Sequence, residues 1–327
     1  MKKWMIIEIL VLVIVLAIAV WICFAPSGQA EPANSDHLQT QPAPETAQPT
    51  ETTEPEPTWW RYPADRTPTA KQAFVYDCQA EEFMHITGES ENDRVYPASI
   101  TKLFTAYVAL QYLQPEDEIE AGDALDLVGV GSSVAEIQKG DKLTAEQLVE
   151  AMLLPSGNDA ACILAVEVGR KLADNPQMSA SRAMQKFMDE VNRQAKANGM
   201  TGTHFTNPDG YHDSDHYTTH KDLVTIAKLA LDTPAVMKYA VVPSEKITLG
   251  GKEVQWKNTN QLVVPESEYY CAYATGLKTG QTPSAGSCLL SSFDIKGHKY
   301  IIGVFGCPDI EDRFMDTLQH LDQALGR

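Results

Sequence analysis

The segment PASITKLFTAYVAL (97–110) places a serine and a lysine three residues apart on a predicted apolar helix. Its apolar residues follow the i, i+3, i+4, i+7 spacing of a helix, and the remaining positions are mostly Ala and Thr, so we expect burial nearly all round. Burial disfavours a charged ammonium. Lys102 is therefore a candidate neutral amine that takes the proton of Ser99 and makes it a nucleophile. The alternative is an ordinary surface lysine whose amine reaches solvent.

Two further triplets add to this pair. Ser156-Gly157-Asn158 lies in LLPSGNDAA, at a predicted junction of two helices, and Lys278-Thr279-Gly280 lies in TGLKTGQTPSAG, on a predicted strand. One S-x-x-K is expected by chance in a chain of this size, but each full triplet has a chance expectation of about 0.1 or less. The three motifs in this order therefore indicate one catalytic site. A simple turn between helices is the alternative for the first triplet.

On these motifs the sequence resembles the penicillin-recognising serine hydrolases, which share S-x-x-K, S-x-N and K-T-G. Within them it is most similar to the serine D-alanyl-D-alanine carboxypeptidases, on YPASITKLFTAYVAL, LLPSGNDAA, NTNQLV, GSSVAEIQKGDKLT and GLKTGQTPSAGSCLL. The similarity runs from about residue 70 to 325. It implies an α+β fold, in which helices cover an antiparallel sheet and an all-helical region is inserted between the first and last strands.

The resemblance also implies roles for the motif residues. Ser156 relays a proton, and Asn158 hydrogen-bonds Lys102 and the substrate amide. The N–H of Ser99, at a helix N-terminus, suits an oxyanion, and the N–H of Gln281 is implied as the second donor.

The K-T-G strand is expected to bind the substrate. Lys278 and Thr279 resemble the pair that fixes a substrate carboxylate, and Gly280 would let the substrate backbone approach closely. A second cation, Lys278, would also lower the pKa of Lys102.

The activity implied is removal of the terminal D-alanine from peptidoglycan stem pentapeptides through an acyl-enzyme on Ser99. It needs no metal or cofactor, and β-lactam antibiotics would be covalent inhibitors. A β-lactamase is one alternative, but FMDEVNRQAKANGM lacks the E-x-x-L-N-like pattern of a class A deacylating glutamate. A non-catalytic sensor of penicillins or muropeptides is another, and the presence of all three motifs weighs against it.

A cluster of histidines offers a metal site as a further alternative. His212, His216 and His220 are spaced at i, i+4, i+8, with His204 nearby. However, PDG and DSD make most of this stretch a predicted loop, and HExxH is absent from the chain. We therefore predict no metal site.

The element pattern from residue 59 onward predicts the α+β class. QAFVYDC and EEFMHIT are predicted strands, and helices follow, one opened by the capping box Thr144-x-x-Gln147 and one beginning near Asp159. EKITLGGKEVQW predicts a hairpin, GSCLLSSFDIKGHKYIIGVFGC predicts two further strands, and Arg313–Leu325 is a predicted helix. We expect the first and last strands to share one sheet.

The regions before residue 59 predict export. Residues 1–25 combine two lysines with an apolar run close to the roughly 20 residues that span a bilayer, which favours an uncleaved anchor over a cleaved signal peptide. Residues 26–58 are rich in Pro, Thr and Glu and predict a disordered linker, leaving 59–327 as an extracytoplasmic catalytic domain. Only 47 residues follow Gly280, so the N-terminal segment is expected to supply the attachment to the membrane.

The net charge and the cysteines bear on two further questions, whether the chain binds nucleic acid and whether it forms disulfides. The formal net charge of −18 argues against a nucleic-acid partner. Five cysteines lie beyond residue 25, widely spaced and odd in number, so they predict buried free thiols rather than a disulfide framework.

Overall fold

The structure is a computed structural model that describes residues 62–63 and 65–327. The predicted anchor (1–25) and linker (26–58) lie outside the described residues. Within the described part of the chain, no helix has both the length and the apolar character needed to cross a membrane.

Eleven strands form one five-stranded sheet and three two-stranded pairs among the described residues. Their bounds are β1 Gln72–Asp77, β2 Glu82–Thr87, β3 Arg94–Val95, β4 Glu118–Glu120, β5 Lys142–Thr144, β6 Thr218–Thr219, β7 Ser244–Leu249, β8 Lys252–Lys257, β9 Ala274–Thr282, β10 Gly286–Ile295 and β11 His298–Cys307. The main sheet has the order β2-β1-β11-β10-β9 and is antiparallel throughout. The first and last strands of the domain therefore share one sheet, as predicted.

Seven α-helices and three short 3-10 helices are described. The α-helices are α1 Thr101–Ala109, α2 Ala145–Leu153, α3 Asn158–Leu172, α4 Ala180–Ala197, α5 His220–Leu231, α6 Pro234–Ala240 and α7 Asp312–Ala324, and the 3-10 helices are Ala98–Ile100, Asp123–Leu127 and Gln261–Val263. Six of the seven α-helices lie between β2 and β9 in the chain. This confirms the α+β class with an inserted helical region.

Several local signals correspond to real helix and strand ends. The Thr144 side chain accepts from the N–H of Gln147, and the reciprocal bond completes the capping box of α2. Gly199, with φ of +79°, follows α4 in the left-handed conformation that is common just after a helix C-terminus. The β7–β8 hairpin turns through two glycines as expected.

Both faces of the main sheet are covered, because its strands alternate apolar residues between two cores. In β1, Phe74 belongs to the large core that the helical region shares, while Val75 belongs to the core covered by α7. Strand β9 lies at one end of the order, with β10 as its sheet neighbour on one side. Its other edge therefore faces the rest of the domain, beside the 3-10 helix Ala98–Ile100.

The predicted apolar helix is divided into that 3-10 turn and α1. Every residue of α1 except Tyr107 is buried, so the expected burial on all sides is confirmed. Lys102 in its first turn is among the largest completely buried side chains of the described residues.

Candidate active site

Ser99 and Lys102 are in direct contact. The Nζ atom of Lys102 lies 2.8 Å from Ser99 Oγ, 2.7 Å from Asn158 Oδ1 and 2.8 Å from the carbonyl oxygen of Asp209. A neutral amine can donate only two hydrogens, and the amide and carbonyl oxygens accept them. Its lone pair is then directed at the Ser99 hydroxyl, which is the arrangement that a general base needs.

The electrostatic setting of Lys102 favours that neutral form. Burial lowers the pKa of Lys102 to about 8, against the opposing influence of Asp209 and Asp159. The pKa of the buried Lys278 lies well below its usual value because of burial, Lys102 and Arg313. The charge of Lys102 thus adds to burial in disfavouring the ammonium form of Lys278.

Asn158 connects the lysine to a neighbouring loop. It is the first residue of α3, and its Nδ2 donates to Ser132 Oγ at 2.9 Å while its N–H donates to the carbonyl of Ser133 at 2.8 Å. The adjacent Asp159 carboxylate accepts the N–H of Ala135 at 2.9 Å. The S-x-N segment is thus both a turn between helices and the attachment point of a loop at the site.

Ser156 is close to this cluster in sequence, two residues before Asn158. It is buried, with a φ of +64° that L-residues rarely adopt. Within the described residues no hydrogen bond joins its hydroxyl to Ser99 or Lys102. Its role as a proton relay stays a prediction.

The K-T-G residues lie on the edge strand β9 and are nearly fully buried. Lys278 Nζ donates to the carbonyl of Thr279 at 3.2 Å and to Thr259 Oγ1 at 3.3 Å, and the two threonine hydroxyls are 2.6 Å apart. Arg313 of α7 donates to the carbonyl of Gly280 at 3.4 Å, and burial lowers its pKa to about 10. Two basic side chains, Lys278 and Arg313, therefore lie at this end of the site.

The structure places Gly280 close against the segment that carries the nucleophile. A Cβ at this position would lie 2.7 Å from the carbonyl oxygen of Pro97 and 3.2 Å from the nitrogen of Ser99. A Cβ at Gly210 would similarly lie 1.8 Å from the carbonyl oxygen of Ala98. Both glycines therefore allow β9 and the 207–211 loop to close on the nucleophile segment, and the approach of the substrate backbone at Gly280 stays a prediction.

A cavity of about 530 Å³ opens above this cluster. Its lining residues are Ser99, Val130, Gly131, Ser132, Ser133, Asn158, Gly210, Tyr211, His212, Gln281, Thr282, Pro283 and Ser284. Both residues expected to supply oxyanion donors, Ser99 and Gln281, are among them. Lys102 and Lys278 are buried and do not line it.

Several residues of the site escaped sequence reasoning. Thr259, Arg313 and the carbonyl of Asp209 approach it from distant parts of the chain, and Ser132 and Ser133 come from a loop in which no individual residue stood out. The segment NTNQLV around Thr259 did carry a signal, because it belongs to the family resemblance, but nothing in it identified one hydroxyl.

The histidines do not converge. His216 is buried with its pKa lowered to about 3, mainly by burial; its Nδ1 accepts the N–H of Thr206 at 3.1 Å, and its Nε2 contacts Thr101 Oγ1 at 2.8 Å. The ring of His220 packs on Phe74, with centroids 5.4 Å apart. Among the described residues, no three His, Cys, Asp or Glu side chains group as metal ligands would.

The five cysteines of the described chain are free thiols. Four are buried, and Cys78 is half-buried. Burial raises the pKa of Cys271 and of Cys288 to about 11, so these groups are neutral thiols packed as small apolar side chains.

The family model for D-alanyl-D-alanine carboxypeptidases, peptidase family S11, matches residues 61–309. The chain belongs to this family. The resemblance read from the motifs is therefore confirmed, and the match covers almost the whole domain that contains Ser99, Asn158 and Lys278.

Individual relatives agree with this assignment. The chain is 25% identical over 263 residues to the D-alanyl-D-alanine carboxypeptidase DacF of Bacillus subtilis, covering 79% of this chain and 62% of the relative. It is 33% identical over 215 residues to the D-alanyl-D-alanine carboxypeptidase of Streptomyces sp. strain K15, covering 63% of this chain and 70% of the relative. The chain thus spans about two thirds of the length of these family members.

Solved structures confirm the fold. The crystal structure of the Streptomyces K15 DD-transpeptidase is 25% identical and superposes with a TM-score of 0.71, covering 80% of this chain and 99% of that one. The D-alanyl-D-alanine carboxypeptidase DacD of Francisella tularensis is 24% identical with a TM-score of 0.67, covering 82% of this chain and 73% of that one.

Proposed function

We propose that this family member is a serine D-Ala-D-Ala carboxypeptidase that removes the terminal D-alanine from peptidoglycan stem pentapeptides. The observation that carries the proposal is the contact of the buried Lys102 amine with Ser99 Oγ at 2.8 Å, in an environment that lowers the pKa of the lysine to about 8. A serine and a neutral amine in contact can carry out acyl transfer without a metal.

In the first step Lys102 takes the hydroxyl proton while Ser99 Oγ attacks the carbonyl of the penultimate D-alanine. The N–H groups of Ser99 and Gln281 stabilise the oxyanion. The C–N bond then breaks, and the leaving D-alanine nitrogen receives the proton that Lys102 took, with Ser156 as the proposed relay. Water then attacks the ester carbonyl while Lys102 takes its proton, the C–O bond to Ser99 breaks, and Ser99 Oγ receives that proton, which restores the free hydroxyl.

The carboxylate of the terminal D-alanine is held at the Lys278 end of the site. Lys278 and Thr279 are the proposed binding pair, and Arg313 adds a third positive or donor group beside them. Its buried Nε has no hydrogen-bond partner within the described residues. A buried donor left without a partner costs about 1–3 kcal/mol of stability.

Incubation of a D-Ala-D-Ala pentapeptide with residues 59–327 tests this function. We expect mass spectrometry to detect a peptide shorter by one D-alanine together with free D-alanine. A pentapeptide that stays intact while penicillin is covalently bound would favour the sensor. Rapid penicillin hydrolysis without loss of D-alanine would favour the β-lactamase.

We also propose that residues 1–25 remain on the mature protein and hold it at the cell membrane, with the catalytic domain outside the cytoplasm. Sequencing of the N-terminus of the protein in the membrane fraction tests this. The expected N-terminus is at or next to Met1. A mature N-terminus near Glu31, with the protein in the medium, would contradict the anchor and establish the cleaved signal.

A further inference from the structure

A second cavity beside the active-site cavity has a cationic and aromatic lining. Its volume is about 480 Å³, and its lining includes Lys71, Arg94, Tyr96, Tyr217 and Phe305. Sites for small ligands have volumes of this order. No aspartate or glutamate of the described residues lines it, although the chain carries a formal net charge of −18. We call it the Arg94 cavity.

Both cations of the Arg94 cavity are exposed side chains that have no acidic partner among the described residues. The guanidinium of Arg94 lies 3.9 Å from the centre of the Tyr217 ring, and its backbone pairs with Thr219 in the β3–β6 ladder. The stem of Lys71 packs against Gly306, where an added Cβ would lie 3.0 Å from it. Across the described residues, neither side chain has an aspartate or glutamate within ion-pair distance. Their charges are therefore available to a ligand.

The Arg94 cavity adjoins the active-site cavity. Ser284 lines both, and the ring of Tyr96, which lines the Arg94 cavity, packs against His212 of the active-site cavity with centroids 5.0 Å apart. Tyr96 precedes Ser99 by three residues, so their Cα atoms are at most about 11 Å apart. A single extended ligand can therefore occupy both cavities.

The order of residues along β9 gives the direction of that ligand. Lys278 and Thr279 are the proposed site of the terminal carboxylate. Gln281 is the proposed oxyanion donor, and Ser284 comes next along the chain, at the edge of the Arg94 cavity. The acyl part of the substrate therefore leaves the site toward Ser284. Strand β9 ends at Thr282, and Ser284 lies in the turn that follows. Because the Cα atoms of Tyr96 and Ser99 are at most about 11 Å apart and an extended chain rises about 3.3 Å per residue, two or three residues of substrate can reach from the nucleophile to the Arg94 cavity.

We propose that the Arg94 cavity binds a carboxylate of the acyl-donor peptide, carried two or three residues before the scissile bond. This inference rests on the proposed carboxypeptidase function and names a feature of its preferred substrate. An arginine can bind a carboxylate through two parallel hydrogen bonds, and Lys71 supplies a second positive charge.

Two synthetic peptides ending in Lys-D-Ala-D-Ala test the proposal, one carrying D-glutamate before the lysine and one carrying D-glutamine. We expect the wild-type protein to prefer the acidic peptide about fivefold in kcat/KM. The preference should fall to about one in the double variant Lys71→Gln/Arg94→Gln. The matched control Lys252→Gln removes an exposed cation of β8 and should keep the preference. High salt should reduce the preference in the wild type.

Each other outcome contradicts a defined part of the account. Equal turnover of the two peptides by the wild type, or an unchanged preference in the double variant, would overturn the inference and leave the carboxypeptidase function intact. Failure of the wild type to shorten either peptide would overturn the proposed function and the inference with it. Penicillin labelling of the double variant reports whether its active site is folded.

Discussion

Replacement of Ser99 by alanine is expected to abolish both covalent labelling by a fluorescent penicillin and release of D-alanine. The substitution removes the attacking oxygen, and the 530 Å³ cavity offers no other serine in contact with a buried amine among the described residues. Lys102 keeps Asn158 and Asp209 as acceptors, so the fold should persist. We expect residual acylation at least about 1,000-fold below that of the wild type.

The control is Ser90→Ala, which removes an exposed hydroxyl that contacts Asp93 away from the cavity and should label normally. Gel fluorescence measures labelling, and circular dichroism checks the fold. Labelling of Ser99→Ala at another serine, located by peptide mapping, would show that the nucleophile is assigned to the wrong residue.

The second large effect is expected when the general base, Lys102, is replaced. Lys102→Arg keeps a positive charge, but a guanidinium stays protonated at any pH at which the protein is folded. We expect the acylation rate to fall at least about 100-fold, as for the loss of a general base. The matched control Lys139→Arg changes an exposed lysine that pairs with Asp126 and should leave acylation unchanged.

The pH profile of acylation separates a base from a structural lysine. Because the pKa of Lys102 is about 8, its amine is mostly protonated below pH 8 and mostly neutral above it. The wild-type rate should therefore rise about tenfold per pH unit below 8 and level off above it. The rise should be absent in Lys102→Arg. A loss of less than about threefold in the variant, or a flat wild-type profile, would indicate that Lys102 is not the base.

The parts of the fold that the sequence predicted are those with local signals. The capping box at Thr144, the glycine turn of the β7–β8 hairpin and the apolar periodicity around Lys102 each depend on residues a few positions apart. The shared sheet of early and late strands followed from the order of elements, since early and late antiparallel strands need partners. The motifs located Ser99 and Asn158 because their types and spacing are rare by chance.

The remainder of the site depends on contacts between distant segments. The Asp209 carbonyl that accepts from Lys102 is a backbone atom 107 positions away, and no residue type marks it. Arg313 lies in a helix that amphipathic periodicity predicts, but periodicity does not show which sheet edge its guanidinium reaches. The role of Gly280 was also out of reach, because the atoms that exclude a side chain there belong to Pro97 and Ser99.

The central claim, an acyl-enzyme on Ser99 that serves peptide hydrolysis, is tested most directly by intact-protein mass spectrometry during turnover. In the peptide reaction the D-alanine departs and water reaches the ester, whereas the leaving group of a β-lactam stays attached and obstructs that approach. We predict a penicilloyl adduct on Ser99 that persists for minutes or longer, while the pentapeptide is shortened without an accumulating adduct. Penicillin hydrolysis at tens of turnovers per second or more, with no adduct on Ser99, would contradict the account.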